Sequence, residues 1–223
     1  MFFPIGDDQI QGGSKPIVSY SFIAINVLLF LYQFSLQGDY GSDFVITWGA
    51  IPQEISNGID LQTLISSIFL HGGWMHLIGN MLFLWVFGDN IEAVIGSVRF
   101  FTFYMLGGIL AGLTQVFLDM NSEIPCVGAS GAIAAVLGAY LVMFPGSQVK
   151  VLFLLFFQTF QVPALAFLGF WGIQQAWSGY TALSAGSASD SGVAVWAHIG
   201  GFVFGLLFGF LLRNTVKEQG ELV

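Results

Sequence analysis

Charge is what this chain has least of. Only 8% of its 223 residues are charged, five basic and thirteen acidic, where a soluble domain carries roughly 25%. With 56% hydrophobic residues and a mean hydropathy of +0.81, most of the surface is made for lipid rather than water. The net charge of −8 excludes the basic footprint of a nucleic-acid binder. A single cysteine, Cys126, excludes an internal disulfide framework and speaks against redox chemistry. The first 16 residues are polar and Gly-rich and lack the apolar run of a cleaved signal peptide, so they read as a short tail.

A membrane span needs about 20 mostly apolar residues. Six segments reach or approach that length: 18–36, 64–87, 100–118, 130–144, 163–177 and 193–212. Val149–Phe157 is also apolar, but Gln158, Gln161 and Pro163 interrupt it, and it reads as an interfacial or re-entrant lead-in to the fifth span. The expected fold class is all-α: a polytopic membrane protein with six transmembrane helices, the fourth of them short. Residues 1–16 and 214–223 are expected as cytoplasmic tails and 17–213 as the membrane domain. Lys15, Arg99, Lys150, Arg213 and Lys217 all fall on the side of the N-terminus. Basic residues mark the cytoplasmic face, so both termini are expected inside a cytoplasmic membrane. Asp39, Asp43, Glu54, Asp60, Asp119, Glu123 and Asp190 then lie outside.

That orientation aligns the polar residues. Spans two, four and six run from outside to inside. His71 and His76 open span two, Ser130 opens span four, and His198 lies about a turn and a half into span six. Ionisable groups within a membrane are costly and tend to mark function. A serine hydroxyl becomes a nucleophile when an adjacent base takes its proton, and His198 is the natural base because the unperturbed pKa of a histidine lies near neutrality. Acyl transfer also needs donors for the developing oxyanion. The Ser130 N–H, the His76 imidazole and the Asn80 amide are available, and His76 and Asn80 share a helical face. His71 lies about 140° around a helix from His76, which leaves it a lesser role. Small residues every fourth position (Ser130, Ala134, Gly138; Ala197, Gly201, Gly205, Gly209) let transmembrane helices approach closely. Span four, at about 22 Å, is shorter than the hydrocarbon core, which sets Ser130 below the outer surface where water could reach it.

Other readings of the same residues are weaker. Each polar residue alone fits packing, since small stripes and hydroxyls are common between membrane helices. A metal site would need ligands on one face, yet His71 and His76 are not so spaced and no H-E-x-x-H occurs; no metal or other cofactor is expected. An aspartyl mechanism needs two buried acids, and only Asp89 sits at a helix end. A transporter would place its ionisable groups near the midplane in two repeated halves, and no repeat is present.

Three segments carry a resemblance. His71-Gly72-Gly73-Trp74-Met75-His76-Leu77-Ile78-Gly79-Asn80, Gly128-Ala129-Ser130-Gly131 and Ala197-His198-Ile199-Gly200-Gly201 resemble the signatures of the rhomboid intramembrane serine proteases. Asn26-Val27-Leu28-Leu29-Phe30-Leu31-Tyr32-Gln33 is similar to the first helix of bacterial members, and the likeness runs over roughly residues 16 to 212. It implies a six-helix core with a Ser–His dyad and no acidic third member. Ser130 would be the nucleophile and His198 the base and later acid, while His76, Asn80 and the Ser130 amide would hold the oxyanion. The loop between spans one and two would pack into the outer leaflet, and span five, loosened by Gly169 and Gly172, would be a mobile wall admitting single-span membrane-protein substrates from the bilayer. An inactive relative acting as a membrane-protein binder or chaperone is the alternative within the same fold. Two positions depart from the pattern. Ala134 stands where some members have a tyrosine that stacks on the catalytic imidazole, so another group must orient His198. Gln62-Thr63 stand where many have Trp-Arg.

Overall fold

The computed structural model describes residues 2–8, 13–36, 39–185 and 194–218. Asp190, Val193 and parts of both tails lie outside the described residues. In chain order the elements are strand β1 (Phe2–Asp7), helices α1 (Ile17–Ser35), α2 (Asp39–Trp48), α3 (Pro52–Ser56) and α4 (Thr63–Ser66), a 3-10 turn (Ser67–Phe69), α5 (Trp74–Ile95), α6 (Ser97–Leu118), α7 (Ser130–Met143), strands β2 (Gln148–Phe153) and β3 (Gln158–Pro163), α8 (Ala164–Ala185) and α9 (Val195–Glu218). Among the described residues four helices are long and apolar enough to cross a membrane: α1, α5, α6 and residues Val195–Arg213 of α9. The apolar helix α7 has only 14 residues. Gln174, Gln175, Ser178, Thr181 and Ser184 dilute the apolar character of α8.

Helix α7 is the centre of the bundle. Its residues from Gly131 to Tyr140 are all buried, against α5, α6, α8 and α9. A helix apolar on every side belongs in such a position. By contrast α1 exposes Ile17, Leu28, Tyr32 and Phe34 outward. The segment between α1 and α5 also presents apolar side chains outward, among them Ile46, Trp48, Ile59, Leu61 and Ile65.

The boundaries of the second expected span move. Gly73 is extended and the helix begins only at Trp74; residues 63–69 instead make α4 and the 3-10 turn. At its other end α5 runs past Gly88-Asp89 to Ile95, because the polar residues there are buried with partners. Gly96, at φ +81, then reverses the chain into α6, a backbone region in which glycine carries no Cβ penalty. Glu92, fully buried, is a second acid in this helix that sequence reasoning overlooked. Its carboxylate accepts from the N–H groups of Val18 (2.9 Å) and Ser19 (2.8 Å) and from Ser19 Oγ (2.7 Å). A carboxylate at a helix N-terminus satisfies orphan donors and opposes the dipole, so Glu92 fastens α1 to α5.

The expectation of an all-helical chain is also corrected. β1, β2 and β3 form an antiparallel sheet in that order, with Phe2 opposite Phe153, Gly6 opposite Lys150, and Gln148 opposite Pro163. The apolar run Val149–Phe157, expected as an interfacial or re-entrant lead-in, is therefore most of β2 and the turn that joins it to β3. Lys150 between buried Val149 and Val151 carries the period-2 alternation of a half-buried strand. The sheet is tied to the bundle by Asp7, whose Oδ2 accepts from Tyr140 Oη of α7 and from Asn90 Nδ2 of α5 (2.6 Å).

Replacing Glu92 with alanine leaves the start of α1 without its buried acceptor. Charge-assisted hydrogen bonds of this kind contribute about 1.5–3 kcal/mol. Glu92→Ala is expected to lower the thermal midpoint in detergent by several degrees, whereas Glu123→Ala, at an exposed site after α6, leaves it unchanged.

Candidate active site

The site begins with two helices in backbone contact. A Cβ built on Gly201 would collide with the Gly131 carbonyl, one on Gly205 with the Ala135 carbonyl, and one on Gly209 would come 2.8 Å from the Ala139 carbonyl. From the other side, Gly138 leaves no room against Phe202 and Leu206 of α9. The glycine stripe of α9 thus lies directly on the backbone of α7, the close approach expected from small-residue spacing. At the open end of this seam His198 Nε2 is 2.8 Å from Ser130 Oγ.

Ser130 is the first residue of α7, so its N–H has no acceptor within the helix. Gly128, two residues earlier, has φ +125, and a Cβ there would lie 2.7 Å from His76 Nε2 and 3.5 Å from Asn80 Nδ2. Two donors from one face of α5 therefore converge beside Ser130. The Gly72 N–H donates to His76 Nδ1 (3.3 Å). A neutral ring whose Nδ1 accepts carries its hydrogen on Nε2, the atom that faces Gly128. Asn80 Nδ2 is buried and has no partner, where nearly all buried donors are paired. His76 and Asn80 thus act as donors aimed at one place. His71 is fully buried, its ring 5.1 Å from that of His76, and its carbonyl accepts from Gln33 Nε2 (2.8 Å). It stands behind the site rather than in it.

The loop before Ser130 is held from outside the bundle. The Gly128 N–H donates to the Ser67 carbonyl (2.9 Å), and Ala50 and Cys126 exchange backbone bonds of 3.0 and 2.8 Å. Burial, followed by the nearby Asp119 carboxylate, pushes the Cys126 thiol up to about 11; it is no rival nucleophile. At the departures noted above, Gln62 Nε2 donates to Asp60 Oδ1 (2.8 Å) and Thr63 Oγ1 to the Asp60 carbonyl (2.7 Å), so this turn is fixed locally. A cleft of about 860 Å³ opens beside the dyad, lined by His76, Asn80, Phe83, Ser130, Trp171 and His198. Ser130 and His198 are only half-buried, so a reactant in the cleft reaches both.

Three residues near the dyad escaped sequence reasoning. Gln115 Oε1 accepts from the N–H groups of Trp196 (3.1 Å) and Ala197 (3.3 Å), capping α9 just before His198. Gln175 Oε1 lies 2.9 Å from His198 Nδ1, and the Trp171 ring lies 5.9 Å from the imidazole. An uncharged amide within an apolar helix was the available signal, since such groups find partners when buried. Which partner was not written in the sequence.

Residues 59–215 match the Rhomboid domain family. The chain is similar to Rhomboid protein 1, mitochondrial, of Saccharomyces cerevisiae, with 33% identity over 164 residues covering 71% of this chain and 44% of that protein. It is similar to Rhomboid protease GluP of Bacillus subtilis, with 34% identity over 127 residues, 57% of this chain and 24% of that protein. Putative rhomboid protease YdcA of Bacillus subtilis shares 30% identity over 131 residues, 57% of this chain and 62% of that protein. The matched stretch spans less than two thirds of each of these relatives.

Any side chain at position 128 would displace His76 from its place beside Ser130. Gly128→Ala is expected to slow the reaction of Ser130 with a fluorophosphonate by about 100-fold or more while circular dichroism shows the helices intact. Reaction at the parent rate would mean that His76 and Asn80 do not serve this serine.

Proposed function

Because this chain belongs to the rhomboid family and is an integral membrane protein, we propose that it is an intramembrane serine endopeptidase working through a Ser130–His198 dyad. The observation that carries this reading is the 2.8 Å contact between His198 Nε2 and Ser130 Oγ, set in a cleft with two aimed donors.

The chemistry follows from that arrangement. His198 Nε2 takes the Ser130 proton as Oγ attacks the peptide carbonyl, and the carbonyl oxygen becomes an oxyanion. The Ser130 N–H, His76 Nε2–H and Asn80 Nδ2–H receive that charge, each such donor contributing about 10²–10³ in rate. The imidazolium gives its proton to the leaving amine, the C–N bond breaks, and an acyl ester remains on Ser130. A water molecule entering the cleft then loses a proton to His198 and attacks the ester, releasing the new carboxyl end and restoring the serine.

In this reading α1, α5, α6, α7, α8 and α9 are the six spans. The sheet end of the bundle is cytoplasmic, as the basic residues suggest: Lys150 lies in β2, and the Lys15 carbonyl accepts from Ser97 Oγ at the start of α6 (3.4 Å). Ser130, at the opposite end of α7, then works near the outer face of a cytoplasmic membrane, with the apolar segment between α1 and α5 resting in the outer leaflet. Substrates are single-span membrane proteins whose helix unwinds locally to present a peptide bond. Their path runs between α5 and α8, which meet through the stacked rings of Phe83 and Phe167, 6.3 Å apart.

Purified protein in vesicles is expected to cleave a single-span reporter and to label with a fluorophosphonate probe. Ser130→Ala abolishes both while the protein remains folded. Cleavage retained by Ser130→Ala, or a parent protein that neither cleaves nor labels, would overturn the assignment; the second result would favour a non-catalytic binder.

A further inference from the structure

Ala134 leaves the imidazole of His198 without a stacking tyrosine. Ala134 is itself fully buried, 3.3 Å from where a Cβ on Gly201 would stand, so the seam between α7 and α9 has no space for a ring. The base must be held from another direction. Helix α8 supplies the contacts. Trp171 and Gln175 are four residues apart on one face of that helix. The Trp171 ring lies 5.9 Å from the His198 ring at 41°, and 5.5 Å from Phe202 one turn further along α9. Gln175 Oε1 is 2.9 Å from His198 Nδ1. The approach of α8 is itself built on glycine. A Cβ on Gly172 would be 2.8 Å from the Phe202 ring, and one on Gly179 would be 2.8 Å from Ile199 and 3.0 Å from Trp196. Gly172, expected above to loosen this helix, instead lets it close onto α9.

Resting on the protease reading, we propose that Gln175 is a positioning residue for the catalytic base: its side-chain carbonyl accepts the Nδ1 hydrogen of His198 and turns Nε2 toward Ser130. A neutral imidazole has one donor and one acceptor nitrogen. With the hydrogen on Nδ1 and held by Gln175, the Nε2 lone pair is the one available to Ser130 Oγ. The opposite tautomer would put a hydrogen on Nε2 and disable the base. An acid-base pair from two helices thereby becomes a relay of three, Gln175–His198–Ser130, with its third member on the wall of the cleft. The base is correctly oriented only while α8 lies against α9. Among the described residues the side chains that meet the His198 ring, Ser130, Gln175 and Trp171, are all uncharged. The titratable group facing His198 across the cleft is His76 of α5, α7 presents Ser130, and α6 presents Thr114 and Gln115 to this end of α9.

The test is the pH dependence of the fluorophosphonate reaction in full-length protein carrying Gln175→Leu or Gln175→Glu, with kcat and KM measured separately on a single-span reporter. Gln175→Leu removes the acceptor at similar volume. It is expected to lower the labelling rate and kcat about 10- to 100-fold, within the range a general base contributes, with KM nearly unchanged. Gln175→Glu keeps an acceptor on Nδ1 and adds negative charge, which favours the imidazolium. Because the free base is the reactive form, the acidic limb of the rate profile should move to higher pH while activity is retained above it. A Gln175→Leu protein that reacts at the parent rate, or a Gln175→Glu protein whose acidic limb does not move, would overturn the inference. If Gln175→Leu fails to fold, the Gln175→Glu profile decides alone. Failure of the protease reading looks different: the parent protein itself would neither label nor cleave, and the inference would fall with it.

Discussion

The backbone contact between α7 and α9 is the constraint on which the rest of the molecule depends. A hydrogen bond between side chains as short as serine and histidine, carried on separate helices, requires those helices to lie closer than ordinary side chains permit. Gly201, Gly205 and Gly209 remove the obstruction on α9, and the carbonyls of Gly131, Ala135 and Ala139 fill the space they leave. In lipid, where no hydrophobic force drives one apolar helix against another, such close packing is a principal source of association. The seam that holds the centre of the bundle together is thus the seam that aligns Ser130 with His198. A larger residue within it would loosen the fold and misalign the dyad through the same displacement.

Around this seam the few buried polar groups divide by what they contact. Glu92, Asp7, Tyr140 and Gln115 meet partners from other elements, and each joins a helix or strand to its neighbour. An unmet polar group in an apolar interior is costly, so these bonds also specify which elements meet. Asn80 Nδ2 behaves differently, being buried without a partner and aimed at Gly128. Other buried groups are also unmet, among them the His71 ring, Tyr104 Oη and Trp196 Nε1, but of these described groups Asn80 is the one that lines the cleft beside Ser130, where the proposed mechanism uses it to bind transient negative charge. Preorganised donors of this kind need no rearrangement as the charge appears.

How far the sequence discloses this depends on the kind of information. The alignment of Ser130, His198, His76 and Asn80 at one end was legible, because hydropathy sets the helices and the spacing of glycine sets their closeness. The fourth helix was expected over 130–144 and runs from Ser130 to Met143. The sheet was not legible. Phe2–Asp7 has no strand pattern strong enough to stand alone, and its partner lies more than 140 residues away, so β1 exists only through tertiary pairing. The end of α5 lies beyond the expected Gly88-Asp89 because polar residues, which ordinarily mark a helix end, are buried here with partners and carry the helix on to Ile95. Gln175 escaped the sequence because an amide in an apolar helix does not name its partner, and only the arrangement of α8 against α9 shows that it meets His198 Nδ1.

The proposed chemistry requires one geometry: the oxygen of a reacting group on Ser130 lies among three donors from α5 and α7 while His198 faces the serine from α9. A crystal structure of the protein after reaction with a fluorophosphonate measures this directly. The expected result is phosphorus bonded to Ser130 Oγ, with the phosphoryl oxygen about 2.7–3.1 Å from His76 Nε2, Asn80 Nδ2 and the Ser130 nitrogen. Phosphorus on any other residue, or a phosphoryl oxygen directed away from His76 and Asn80, would contradict it.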